Sequence, residues 1–340
     1  MPVRIGIPRG LLYYYYYPLW EKFFTLLDAQ VVVSDKTNSK IVAEGAKNCV
    51  EDSCLPVKVY HGHVLNLKNK VDYILIPKVM SIQRKEFICP KFCGLPEMVR
   101  HSLPDLPVVI EPTIDFWKSK ENLMETVYEM GGCFTGNKNK MKDAFYEALS
   151  AFNEYKKTVK KGFLPIDGFS GQWECRNRSG NSENKILLLG HPYVLYDSHI
   201  SMNLINKLRR YGFTVITEDT IDNAVIHEKA AVMDKKMFWT FGRKILGAAF
   251  YGMEQEDIKG ILYLSSFVCG IDSVICEIVE RRIRRESKKP FALLTVDEHT
   301  GEAGFDTRLE AFIEMMKWRE NYESYIPAHG KYISGRKSLV

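Results

Sequence analysis

The chain has 340 residues, 46% hydrophobic and 26% charged, the balance of an ordinary globular protein rather than a disordered one. That length suits two domains and can bury a core without covalent staples. The net charge of +5 is mild and spread along the chain; with no arginine-rich tract, zinc finger or RNA-binding signature, no nucleic acid is expected among the partners.

The opening residues, Met1-Pro2-Val3-Arg4-Ile5-Gly6-Ile7, read as a buried strand and lack the charged-then-apolar layout of a signal peptide. No run approaches the roughly 18 consecutive apolar residues of a spanning helix, so a cytoplasmic protein with no membrane partner is expected. A helix follows over residues 12–27. Its aromatic run Tyr13–Tyr17 points in several directions and is expected to pack in core and interface. Gln30–Val33 is a second strand, and Asn38 suits the N-cap of a helix reaching about Val50. Pro56 suits the first turn of another. Strands follow at Asp72–Pro77 and Leu106–Ile110, then a long helix from about Lys138 to Lys161. Residues 164–184, rich in Gly, Ser, Asn and Arg, read as a linker.

After the linker, strand–helix alternation restarts at Lys185–Gly190 and runs through 260–264 and Pro290–Thr295. The fold class expected is α/β: two Rossmann-like halves with mainly parallel sheets, residues 1–163 and 185–340. Sites in such sheets gather at the carboxyl ends of strands. The Gly6–Gly10 turn has neither the Walker spacing nor the three-glycine dinucleotide fingerprint, so no ATP site is expected in this chain.

Eight cysteines in a cytoplasmic chain point to metal, redox chemistry or buried thiols rather than a disulfide framework. Three share a setting. Cys54 lies at the join of two helices, Cys89 in a loop beyond the strand ending at Pro77, and Cys269 between the strand 260–264 and a helix opening near Asp272. Helix N-termini are expected to lower the pKa of such thiols, and soft thiolates select iron–sulfur clusters or zinc. The spacing matches neither a ferredoxin run nor a zinc knuckle, so on residues alone buried structural thiols stand beside a metal site. Cys93 is a further candidate ligand, Cys276 reads as core, and Cys49, Cys133 and Cys175 read as bystanders.

Several long phrases resemble a known family. They are Cys54-Leu55-Pro56-Val57-Lys58-Val59-Tyr60-His61-Gly62-His63, Ile88-Cys89-Pro90-Lys91-Phe92 with Gly94-Leu95-Pro96, and Ser265-Ser266-Phe267-Val268-Cys269-Gly270. Gly190–Tyr193, Phe238–Arg243 and Asp297–Gly304 join them. The resemblance, over nearly the whole chain, is to an uncharacterised family related to acyl-CoA dehydratase activases. That family looks like a distant branch of the 2-hydroxyacyl-CoA dehydratase, benzoyl-CoA reductase and double-cubane-cluster group. It implies a [4Fe–4S] cluster, or part of a double-cubane cluster, on Cys54, Cys89 and Cys269 in the cleft between the halves; Cys93 falls outside the family's phrase and stands as a secondary candidate ligand. It also implies an ATP-dependent activase or other low-potential electron donor as partner, and a homo-oligomer or related second subunit is a further expectation.

Other candidates surround these. His191 directly follows a strand, Glu298 belongs to the polar cluster Asp297–Glu302, and His63 follows Cys54; these three are the candidate catalytic groups. Lys58, His61, Ser266 and Gly270 are candidates for contacts around a cluster. Arg308 is a candidate partner for Glu298 or Glu302, and the run Arg281–Arg285 reads as a solvated helix face. The leading expectation is an iron–sulfur redox component that passes electrons to a small molecule or partner subunit. A non-catalytic scaffold with a structural cluster is the alternative, as is a zinc protein using Cys54, Cys89, Cys93 and Cys269.

Overall fold

The computed structural model describes residues 2–117, 122–168, 184–233 and 235–322. Ten strands are present among them. The first six are β1 (Arg4–Ile7), β2 (Gln30–Val33), β3 (Tyr73–Leu75), β4 (Lys78–Ser81), β5 (Val108–Ile110) and β6 (Thr113–Asp115). The last four are β7 (Lys185–Leu189), β8 (Thr214–Ile216), β9 (Ile258–Ser266) and β10 (Phe291–Val296). One sheet has the order β2-β1-β3-β5 and a second β10-β9-β7-β8, while β4 and β6 form a small pair. All of these pairings are parallel, as the apolar strands and intervening helices predict. Among the described residues no helix is long and apolar enough to cross a membrane.

The sequence reading missed the β4–β6 pair and the helices Leu95–Ser102 and Leu123–Gly131. Strands of three or four residues are too short to show alternation. Most of the expected linker, residues 169–183 with Cys175, lies outside the described residues, as does 323–340.

Each sheet takes its strands from one half of the chain, yet one hydrophobic cluster spans both. It runs from Ile5, Phe23 and Phe24 through Leu188 and Leu264 to Phe312. The helix Tyr13–Leu26 is central to this union. The Tyr14 hydroxyl donates to Asp197 Oδ2 at 3.0 Å and the Tyr15 hydroxyl to Asp219 Oδ1 at 3.1 Å, so the aromatic run ties the halves together. A second tie is a single bridge between Phe87 and Trp239. Beside it, Arg243 Nε lies 2.6 Å from Glu86 Oε1, with both side chains buried.

The helix Leu55–Leu67 is buried on nearly every face. It crosses the helix Ser39–Lys47 at a backbone contact: a Cβ at Gly62 would lie 2.0 Å from the Ile41 carbonyl oxygen. Only glycine permits that approach, and it fixes where the helix, and hence Cys54 at its head, can sit.

Candidate functional site

The carboxyl ends of the second sheet deliver the chemistry. His191 follows β7, Glu218 and Asp219 follow β8, Cys269 and Asp272 follow β9, and Asp297 and Glu298 follow β10. Gly190 makes the first of these turns possible. Its φ is +147°, and a Cβ there would lie 2.4 Å from the Leu264 carbonyl oxygen.

Cys54, Cys89 and Cys269 each occupy the N-cap position of a helix, Leu55–Leu67, Pro90–Cys93 and Gly270–Glu286. Cys54 and Cys269 are buried and Cys89 is half-buried. All three pKa values are raised, chiefly by burial, against the expectation that helix N-termini would lower them. Loss of hydration outweighs the partial positive charge of the helix ends. The three also sense one another: after burial and Asp272, charge on Cys54 and on Cys89 pushes the Cys269 thiol up, and Cys89 acts likewise on Cys54. The buried Tyr193 hydroxyl feels all three. Three thiols that must each lose a proton to act as ligands, in one apolar surrounding, form a donor set suited to a cationic metal group.

Cys269 sits on a strained turn. Val268 immediately before it has φ +62°, an unfavourable conformation for a β-branched residue, and both Phe267 and Val268 are exposed. Beyond the turn, Asp272 is fully buried. Its Oδ1 accepts from the Tyr263 hydroxyl at 2.5 Å and its Oδ2 from the Ser266 backbone N–H at 3.2 Å.

His191 faces this group. Its Nε2 lies 3.8 Å from Asp272 Oδ1, and potential ligand atoms of His191, Cys269 and Asp272 all fall within 4.8 Å of one another. The ring stacks on Tyr193 with centroids 4.9 Å apart. Burial lowers its pKa, so the imidazole is neutral and makes no ion pair with Asp272. Neither ring nitrogen has a hydrogen-bond partner. Two orphaned nitrogens on a buried histidine beside a thiol and a carboxylate fit a metal ion as the missing partner.

The other candidates divide. Lys58 is buried one turn into its helix and ion-paired with Glu298 across the two halves. Burial would raise the Glu298 pKa, but the hydrogen bond and charge of Lys58 prevail and lower it. Arg308 does not pair with Glu298 or Glu302: its Nε reaches the Gly304 carbonyl, while Lys207 takes Glu302 at 2.6 Å. Asp297 closes a local turn, accepting from the His299 N–H and the Thr300 hydroxyl. Ser266 and Gly270 bracket the Cys269 turn.

His63 lies in another network, with Nδ1 2.9 Å from Ser34 Oγ and Nε2 3.0 Å from Thr37 Oγ1. The Thr37 hydroxyl donates to Asp197, so Thr37 Oγ1 accepts from His63 Nε2–H. Burial, with a smaller contribution from Arg9, holds the His63 pKa down at about 3. His61 Nδ1 donates to the Val57 carbonyl at 2.8 Å. Near it lies Cys49, expected to be a bystander: burial would raise this thiol, but the influence of His61 and Ser53 lowers it. Cys93 is half-buried and interacts with Lys78. The Arg281–Arg285 run is tied to its own helix through Arg281–Glu277, Arg282–Glu286 and Arg284–Glu280 pairs.

Asp272 was legible only as the start of a helix, and Tyr193, Tyr263 and Glu218 gave no signal as site residues. Glu218 is buried with Oε2 unpartnered, and burial and Asp219 raise its pKa well above the usual range.

Residues 4–221 match the family model described as the CoA enzyme activase uncharacterised domain. The chain belongs to that family. The match covers the first half with Cys54 and Cys89 and enters the second through His191 and Glu218, ending before Cys269. No curated protein matches the chain.

Proposed function

We propose that this member of the CoA enzyme activase-associated family is an iron–sulfur redox protein. In this reading Cys54, Cys89 and Cys269 would hold a [4Fe–4S] cluster or part of a double-cubane cluster between lobes 1–163 and 185–340. Such a group supplies one-electron transfer at low potential. The electron donor would be an ATP-dependent activase, the acceptor a small molecule or a partner subunit, and the compartment the cytoplasm. What supports the reading is that three N-cap cysteines, from three separate helices, pack in or against one apolar cluster and all act on the buried Tyr193 hydroxyl.

The chain's own residues have definite tasks here. The three helix N-termini turn free N–H groups toward the thiols and stabilise them once deprotonated. The Lys58–Glu298 pair locks the helix that begins at Cys54 to the turn after β10. Tyr193, Phe241 and the apolar cluster around Cys54, Val57 and Cys269 keep water from the thiols. His191, neutral and unpartnered, is placed to hold or deliver a proton beside Cys269.

A second reading rests on the His191–Cys269–Asp272 group: one metal ion, such as zinc, held by those three side chains. Iron, sulfide and zinc contents of anaerobically purified wild type, Cys54→Ser, Cys89→Ser and His191→Gln separate the two. A cluster gives iron and sulfide in about equal amounts and is lost in either cysteine variant. A single ion without sulfide, retained in the cysteine variants and lost in His191→Gln, supports the second reading against the first.

A further inference from the structure

A cleft of about 600 Å³ opens between the helix Lys138–Lys160 and the carboxyl end of β8, and a smaller one of about 260 Å³ adjoins it through Tyr15, Phe152 and Lys244. The volume suits a ligand the size of a common metabolite. Rings of Tyr15, Phe152 and Tyr155 give it an apolar wall.

Its charges are unevenly matched. Each lining carboxylate has donors: Glu154 has Lys157 at 2.6 Å, and Asp222 has the Ala224 N–H at 2.7 Å. Asp219 accepts from the hydroxyls of Tyr15 and Tyr196 at 3.1 and 2.8 Å. The ammonium groups of Lys160 and Lys244 are different. Lys160 Nζ donates to the Ile221 carbonyl and to Asn223 Oδ1, and the Asp219, Asp222 and Glu218 carboxylates favour its charge from beyond ion-pair distance. Lys244 Nζ lies 4.4 Å from the centre of the Tyr15 ring and has no carboxylate partner among the described residues. Burial alone holds its pKa down at about 8, the signature of a cation with nothing nearby to neutralise it.

From this mismatch we infer that the cleft binds an organic anion, a carboxylate or a phosphate ester, with its charged group on Lys244 and Lys160 and its body against the aromatic wall. An anion there would supply Lys244 with the counter-charge it lacks, with Lys160 as a second donor, and hydroxyl or amide groups on the ligand would find Asn223 and the Asp219 edge. The inference is independent of what the cysteines hold.

Thermal shift and calorimetric titration of the full chain test it, using citrate for the carboxylates, AMP for the phosphate esters, and inorganic phosphate and matched sodium chloride as controls. At least one of citrate and AMP is expected to bind saturably and about tenfold more tightly than inorganic phosphate, and which one binds names the class. Lys244→Met is expected to weaken that binding about tenfold or more, and Lys244→Arg to retain most of it. Lys157→Met, whose partner is Glu154, is expected to change it less than about twofold. Should Lys244→Met not fold, Lys160→Met is expected to show the same loss. The inference is overturned if neither anion shifts the melting temperature beyond matched salt, or if these variants bind as wild type does.

Discussion

Lys58 and Glu298, 240 positions apart in the chain, form an ion pair, with Lys58 buried and Glu298 half-buried, that joins the helix headed by Cys54 to the turn leaving β10. Removing one partner strands the other in a poorly hydrated place, whereas removing both leaves no orphan. Glu298→Met, which strands the buried Lys58, is therefore expected to lower stability by roughly 3 kcal/mol, and adding Lys58→Met to recover much of it. Urea unfolding of the two single variants and the double variant measures this. A single-variant loss under about 0.5 kcal/mol would show the pair to be no more than a surface contact.

The glycine crossing makes a sharper demand. Gly62→Ala places a methyl group against the Ile41 carbonyl, which belongs to a helix backbone and cannot swing aside. A loss of about 1–3 kcal/mol is expected, with reduced metal content because the helix carrying Cys54 must shift. Wild-type stability in this variant would mean that the two helices are free to separate.

Two buried neutral histidines set a pH dependence. His63 has a folded pKa of about 3, and His191 is also lowered, while the unfolded chain titrates near 6.5. Below that value the unfolded state takes up more protons, so the histidine contribution is complete above about pH 6.5 and is lost as pH falls. Stability should decline by up to about 1.4 kcal/mol per pH unit for His63 between roughly pH 6 and 5, before most carboxylates titrate, with His191 adding to the slope in the same direction. His63→Gln should remove one part of that slope. Urea midpoints at several pH values check it, and an equal slope in the variant would place the proton uptake elsewhere.

His191 offers a test of function held against stability. Its ring is packed like an aromatic core residue, stacked on Tyr193 and edge-on to Phe241, yet both nitrogens are unpartnered. His191→Phe keeps the shape and removes the orphaned polar atoms, so the metal-free protein should gain about 1 kcal/mol. A substantial loss of stability would mean that those nitrogens have partners in solution.

Much of this architecture was legible in the residues. Apolar strands such as Leu187–Leu189 and Leu262–Leu264 announce a parallel sheet, and the proline at 56 marks the helix start behind Cys54. The strand-end rule singled out His191, Cys269 and Glu298 as candidates, and each lies just after a strand of the second sheet. What stayed hidden depended on distance in space. Nothing near Asp272 says that Tyr263 will donate to it, and nothing near Lys58 points to Glu298. The expected lowering of the thiols failed because burial, a property of the assembled cluster, outweighs a local helix end. Cys49 was set aside for the same reason: its neighbour His61 is twelve residues on and meets it only once the helices cross.

The central claim is that Cys54, Cys89 and Cys269 together hold an iron–sulfur cluster. The most direct measurement is the visible absorption spectrum of anaerobically prepared protein, before and after dithionite, for wild type and Cys269→Ser. A brown wild type whose visible absorption bleaches on reduction, beside a colourless variant, is the result expected. A wild type that stays colourless after anaerobic reconstitution with iron and sulfide would contradict it.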